Sequence, residues 1–406
     1  MEEYRLETDA LLRLLRAVLL PKDDPIGWEE GCSVSDLALM IAEQRLVPML
    51  YSAIQRQTGP NWERLAQQLK PLYEQELHRG LMQEYEIQAL LDDMERDGID
   101  CLPMKGWVMR DYYPDPLMRS MSDFDVLIRD MDSRKMQKWM EARGYTPEHT
   151  EQEVEDTYMK PPYMNVELHR RLIEASRLKQ QHTVWRENCL VSLWQKEYLQ
   201  KEKKHIYRLS DEDFLVYQLL HFYKHFTDSG AGIRPLVDLY LFLQAKRYTM
   251  DQEYIKRQLD ALHISAFCKQ MTKLMLQCFE AQKWDESGRI IVDYLVRTGI
   301  YGDLATIETA CLFREKGKNM AQTRWHSFWR QCFPPVDVMK NRYLRLNDMP
   351  CLLPFYWAIR IGRVVFLEPH KLAAKLATIQ KYQTQDRYDC LQRIYQAAGV
   401  LEEASR

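Results

Sequence analysis

Asp123 and Asp125 stand two residues apart in the run LPMKGWVMRDYYPDPLMRSMSDFDVLI, residues 102–128. In a β-strand such residues project to one side, so the two carboxylates converge while Phe124, Val126 and Ile128 face the opposite layer. Side-by-side carboxylates repel each other unless a cation sits between them. Magnesium answers that need: it takes one or two protein carboxylates and fills its shell with water and substrate phosphates. The pair is therefore half of a site for two Mg2+ ions, with Mn2+ as a substitute. The run NVELHR supplies the other half, because strand alternation puts Asn165, Glu167 and His169 on one face and Val166 and Leu168 on the other. Glu167 is the expected third metal ligand. His169 can contact substrate or orient a ligand, or be a satisfied buried histidine.

Upstream, the Lys105-Gly106 step lies between a strand-like and a helix-like segment, where backbone N–H groups can approach an anion. Lys105 and Arg119 can add positive charge against a triphosphate. Two further sets lie beyond the acids. His221 and His225 are one helical turn apart in LLHFYKHF; with aromatics around them and no HExxH pattern, they fit the lining of a cleft better than a zinc site. Arg234 and Asp238 share a helix face if a helix starts near Pro235, either as an i,i+4 salt bridge or as a contact to nucleotide or acceptor.

These groups need a sheet to hold them and helices to cover it. Residues 1–82 read as helical, SVSDLALMIAEQRLVPMLYSAIQRQ having helical spacing with Ser33 or Ser35 as its cap. A further helix, EYEIQALLDDMERDGI, ends near Gly98. Residues 83–185 form a small α/β core with strands in DCLPM, DFDVLIR, VEDTYMK and NVELHR, and with helical WVMRDYY and SRKMQKWMEARGY; Pro161-Pro162 marks a turn. Four or five strands are expected. From 186 to 406 the pattern is helical again. The fold class is α+β, a mixed sheet between two all-helical regions.

The chain has 406 residues, 46% hydrophobic and 28% charged, with a formal net charge of −3, as in an ordinary globular protein. That balance gives no support for a non-specific nucleic-acid binder. Nine scattered cysteines, odd in number and without a CxxC pair, indicate reduced thiols and a cytoplasmic setting. The opening run has acids first and arginines at helical spacing, which reads as an amphipathic helix rather than a signal peptide. In MPCLLPFYWAIRIGRVVFLEPHKLAAKL, Arg360, Arg363 and Pro354 argue against a membrane span and leave an interfacial helix open.

The set MKG, YYPDPLMRSMSDFDVLI and VELHRRL resembles the nucleotidyltransferase superfamily of the DNA polymerase beta type, and within it a bacterial, largely uncharacterised branch. The resemblance covers residues 100–172 specifically and the helical flanks more weakly. It implies that Asp123, Asp125 and Glu167 bind metal and that Lys105-Gly106 holds the phosphates of a nucleoside triphosphate, with ATP favoured. The superfamily has Gly-Ser in that turn, whereas Trp107 follows Gly106 here, so the serine hydroxyl is missing. The implied reaction moves a nucleoside monophosphate to a hydroxyl on a small molecule, an RNA or a protein. Two rivals stay open: a DxD glycosyltransferase, and a catalytically silent module with the same fold. A DxDxT phosphatase is disfavoured because Val126 and Leu127 follow Asp125.

Overall fold

In the computed structural model the chain is described over residues 5–20, 25–130, 132–149, 155–172, 203–281, 283–313, 320–340, 343, 345–362 and 377–401. Within these residues a single mixed sheet lies between helical regions, the α+β class expected.

The N-terminal helices are α1 (Arg5–Leu19), α2 (Val34–Glu43), α3 (Val47–Gln55) and α4 (Pro60–Arg96). Leu11, Leu12, Leu14 and Leu15 of α1 are fully buried, the apolar face that its arginine spacing implied. The Ser33 hydroxyl caps α2, accepting from the Asp36 N–H at 3.3 Å. Helix α4 runs unbroken for 37 residues. It crosses residue 82, where the sequence reading divides the helical region from the core. Pro71 lies within α4 at an exposed position, where its missing N–H leaves one intrahelical bond unmade.

The core follows as β1 (Cys101–Pro103), α5 (Lys105–Met109), β2 (Phe124–Ile128), α6 (Ser133–Glu141), β3 (Thr146–His149), β4 (Glu155–Lys160) and β5 (Met164–His169). The strand order is β1-β2-β5-β4-β3, antiparallel throughout except for the parallel β2–β5 pair. Strand β3 is absent from the sequence reading. Its residues, TPEH, include a proline and no apolar alternation, which only an edge strand tolerates.

Alternation then decides what each face carries. Phe124, Val126, Ile128, Val166 and Leu168 pack with Ile87, Leu90, Leu91 and Met94 of α4 and with Met136 and Met140 of α6. Leu102, Met104 and Leu127 join a second core built with the later helices. The sheet face that bears the acids is thus turned toward the C-terminal half.

That half contains α7 (Asp211–Asp228), α8 (Arg234–Lys246), α9 (Gln252–Ala261), α10 (Ser265–Leu276), α11 (Glu286–Thr298), α12 (Leu304–Phe313), α13 (Met320–Cys332), α14 (Val336–Lys340), α15 (Arg345–Asp348), α16 (Leu353–Gly362) and α17 (Gln385–Ala397). The core boundary read at residue 185 and the end of the late apolar stretch lie outside the described residues. No helix among the described residues is long and apolar enough to cross a membrane.

Candidate functional site

The parallel pairing of β2 with β5 sets Asp125 against Glu167 and Leu127 against His169, with Asp123 just ahead of β2. One strand over, Glu155 of β4 lies opposite His169. Four carboxylates and an imidazole therefore meet on one patch of sheet. Candidate ligand atoms of Asp125, Glu167 and His169 all lie within 4.8 Å of one another. Asp123, named with Asp125 and Glu167 as a ligand from the sequence, stands outside that close group, and His169 stands within it.

Lys105 is the cation among these acids. Its backbone is in the left-handed region at φ 48°, and Nζ donates to Asp125 Oδ1 at 2.5 Å. The same oxygen is 2.8 Å from His169 Nε2, which is also 3.6 Å from Glu167 Oε2. Burial works against charge on Asp125, but Lys105 and His169 outweigh it and hold the carboxyl well below the usual range. Burial also opposes charge on His169, and hydrogen bonds to Asp125 and Glu167 raise its pKa despite it. Asp123 goes the other way: burial, then Asp125 and Glu167, push it up to about 7. Asp123 has two carboxylates beside it and no ion pair of its own among the described residues.

The patch floors a cavity of about 340 Å³, within the range of small-ligand sites. Lys105, Gly106, Arg119, Asp123, Asp125, Glu167, His221, His225, Arg234 and Asp238, spread over 134 positions of sequence, all line it. His169 lies behind them, bonded to Asp125. A Cβ on Gly106 would come within 3.1 Å of the Met121 side chain, so glycine suits the close packing there.

Two charge assignments differ from the sequence reading. Arg119, expected against a triphosphate, is engaged by Asp238 through Nε to Oδ1 at 2.8 Å and Nη2 to Oδ2 at 2.9 Å. Asp238 is thus paired away from Arg234, its expected i,i+4 partner. Among the described residues Arg234 makes no ion pair; Nη1 donates to the Ser120 carbonyl at 3.2 Å. Burial, with Arg119 nearby, lowers its pKa to about 10, so it stays charged at neutral pH. Gln44 fixes the loop that carries it, accepting from the Ile233 N–H at 2.7 Å and donating to Val296 O at 2.9 Å.

Trp107, which replaces the expected serine, is directed out of the cavity. Its ring meets Phe124 edge-on at 6.0 Å and Arg110 packs over it, so it plugs the far side of the sheet. His221 and His225 have ring centroids 4.4 Å apart. Burial, then Lys105 and His225, hold His221 well below the ordinary histidine value, and it lines the cleft as a neutral ring.

Lys224, Glu155 and Tyr301 also line the cavity and were missed from the sequence. Lys224, three positions after His221, was legible from helical spacing. Glu155 needed the β4–β5 register. Tyr301, whose hydroxyl is 3.0 Å from Ser122 Oγ and accepts from Arg45 Nη2 at 2.8 Å, comes from far along the chain and left no local signal.

A family model described as uncharacterised nucleotidyltransferase matches residues 32–280. No curated protein and no solved structure gives a match. The matched span covers more than half the chain, the whole sheet and every lining residue named above except Tyr301, and on that match the chain belongs to the uncharacterised nucleotidyltransferase family.

Proposed function

We propose that the protein is a metal-dependent nucleotidyltransferase that moves a nucleoside monophosphate, AMP from ATP, onto a hydroxyl of a small molecule, RNA or protein, with pyrophosphate leaving. The observation that carries this reading is the Asp125–Glu167 register, which gathers acids under a cavity whose other wall offers cations without an ion pair among the described residues. The acids fit a hard divalent cation: Asp123, Asp125 and Glu167 line one cavity, and burial, then the neighbouring Asp125 and Glu167 carboxylates, raise the pKa of Asp123 there. Magnesium, or manganese in its place, would supply activation of the acceptor hydroxyl and neutralisation of the leaving charge.

The chain's own groups divide the remaining work. Arg234 and Lys224, neither ion-paired among the described residues, are placed to hold phosphate oxygens where Arg119 is already committed. Glu167, at 20% side-chain exposure the more accessible member of the β2–β5 pair, is placed to accept the proton of the incoming hydroxyl. His169 and Lys105 hold Asp125 ionised and oriented. A cytoplasmic setting belongs to this reading and rests on the scattered cysteines.

The test is calorimetric titration with a non-hydrolysable ATP analogue, with and without magnesium, on the wild type and on Asp123→Ala/Asp125→Ala. Magnesium-dependent binding that the double variant loses is the expected result. The silent-module reading has one observation on its side, the Lys105 ammonium lying where a metal charge would serve. Binding indifferent to magnesium would favour it over catalysis.

A further inference from the structure

Beyond the family match, the C-terminal helices carry an apolar surface that the site does not use. In α13, Trp325 and Trp329 are one turn apart, 58% and 51% exposed, with rings stacked at 5.8 Å. Trp329 continues to Phe333 at 4.5 Å, and Phe333 meets Trp357 of α16 at 5.4 Å. The Trp357 indole N–H donates to Pro334 O at 2.8 Å, which ties α16 to the turn after α13. Helix α16, LPFYWAIRIG, has one charged residue, yet none of its ten residues is buried. Phe355 and Ile359, one turn apart, are 60% and 42% exposed, and Val338 and Met349 add aliphatic area. An apolar helix with every residue at least partly exposed is an incomplete structure in water.

Charge identifies what completes it. Among the described side chains of α13, α14, α15 and α16 the charged ones are Arg324, Arg330, Arg345 and Arg360, all cationic, in a chain whose formal net charge is −3. A second copy would bring the same positive field against itself. A nucleic acid would use the cations and the stacked indoles, but Ile359, Val338 and Met349 would gain nothing from phosphates or bases. An anionic bilayer uses all of them: Trp and Phe at headgroup level, aliphatic groups at the acyl boundary, and the arginines over anionic lipids. We propose that the α13–α16 surface docks this protein on an anionic membrane surface, with Phe355 and Ile359 entering the headgroup boundary. The contact is peripheral and independent of the nucleotide reading, since the surface shares no residue with the cavity.

The test is flotation of the full chain with vesicles of phosphatidylcholine, pure or mixed with phosphatidylglycerol. The wild type is expected to float with the mixed vesicles, less so as salt rises, and to remain behind with the neutral ones. Phe355→Ser/Ile359→Ser should weaken binding by about tenfold or more. Both side chains are exposed, so its thermal unfolding should match the wild type; Arg324→Glu/Arg360→Glu serves as a second variant should the first misfold. Failure of the wild type to float, or flotation unchanged in both variants, would overturn the proposal. So would RNA binding, or a dimer in light scattering, that the variants lose while no flotation occurs: the surface would then belong to nucleic acid or to a second copy.

Discussion

Arg119 and Asp238 are joined by two parallel hydrogen bonds, 2.8 and 2.9 Å long, and the Tyr113 hydroxyl donates to the same carboxylate at 2.7 Å. This pair fastens the loop before β2 to α8, and so holds the cavity's acids and Arg234 in one frame. Removing one partner of a buried pair leaves the other charge uncompensated. Asp238→Ala should lower unfolding stability by about 3 kcal/mol, read as a drop in the urea midpoint. A midpoint within error of the wild type would show that the pair is dispensable.

Arg234 should behave in the opposite way. A cavity-lining cation without a carboxylate costs the fold and serves a ligand. Arg234→Met is expected to keep or raise the melting temperature while weakening ATP-analogue affinity by roughly tenfold to a hundredfold, the value of one or two charge-assisted contacts. Unchanged affinity would remove Arg234 from the phosphate site.

Asp123 gives a pH signature. Its pKa is raised to about 7, so the folded protein keeps a proton that the unfolded chain releases near 3.8. Stability of the metal-free protein therefore falls as pH rises from about 4 to about 7, by at most about 4 kcal/mol. His169, raised above 6.5, adds a further loss as pH rises through its folded value. Asp125 is shifted downward, and its contribution disappears only as pH falls below the ordinary carboxylate value. Thermal unfolding in a chelator should show the decline in the wild type and a flatter profile in Asp123→Asn. Affinity for Mn2+ should rise over the upper part of the same window, because the bound form needs the carboxylate.

Lys105 already neutralises Asp125. Lys105→Met should destabilise the metal-free protein by about 3 kcal/mol, since Asp125 would lose its nearest cation. Added Mg2+ should then raise the melting temperature more in this variant than in the wild type. Equal magnesium responses would mean that the ion and the ammonium do not address the same carboxylate.

The acids, the Lys-Gly turn and the strands that carry them were legible because each is a local pattern: period-two alternation for Asp125, Glu167 and His169, and helical spacing for His221 and His225. Partnerships were not. Arg119 and Arg234 are both arginines near acids, and only the three-dimensional approach of α8 to the loop before β2 decides that Asp238 takes the first. Glu155 and Tyr301 were missed for the same reason, one awaiting a strand register and the other a contact across 179 positions of sequence.

The unbroken run of α4 has a mechanical consequence. At about 1.5 Å per residue its 37 residues make a strut of roughly 55 Å. One end packs on α2 and α3 and the other on the back of the sheet. A hinge between the N-terminal helices and the acid-bearing strands is thereby ruled out without breaking the strut. Across the cleft, α8 is fastened to the loop before β2 by the Arg119–Asp238 pair and to the N-terminal helices by Gln44, so both walls of the cavity are braced against the same strut.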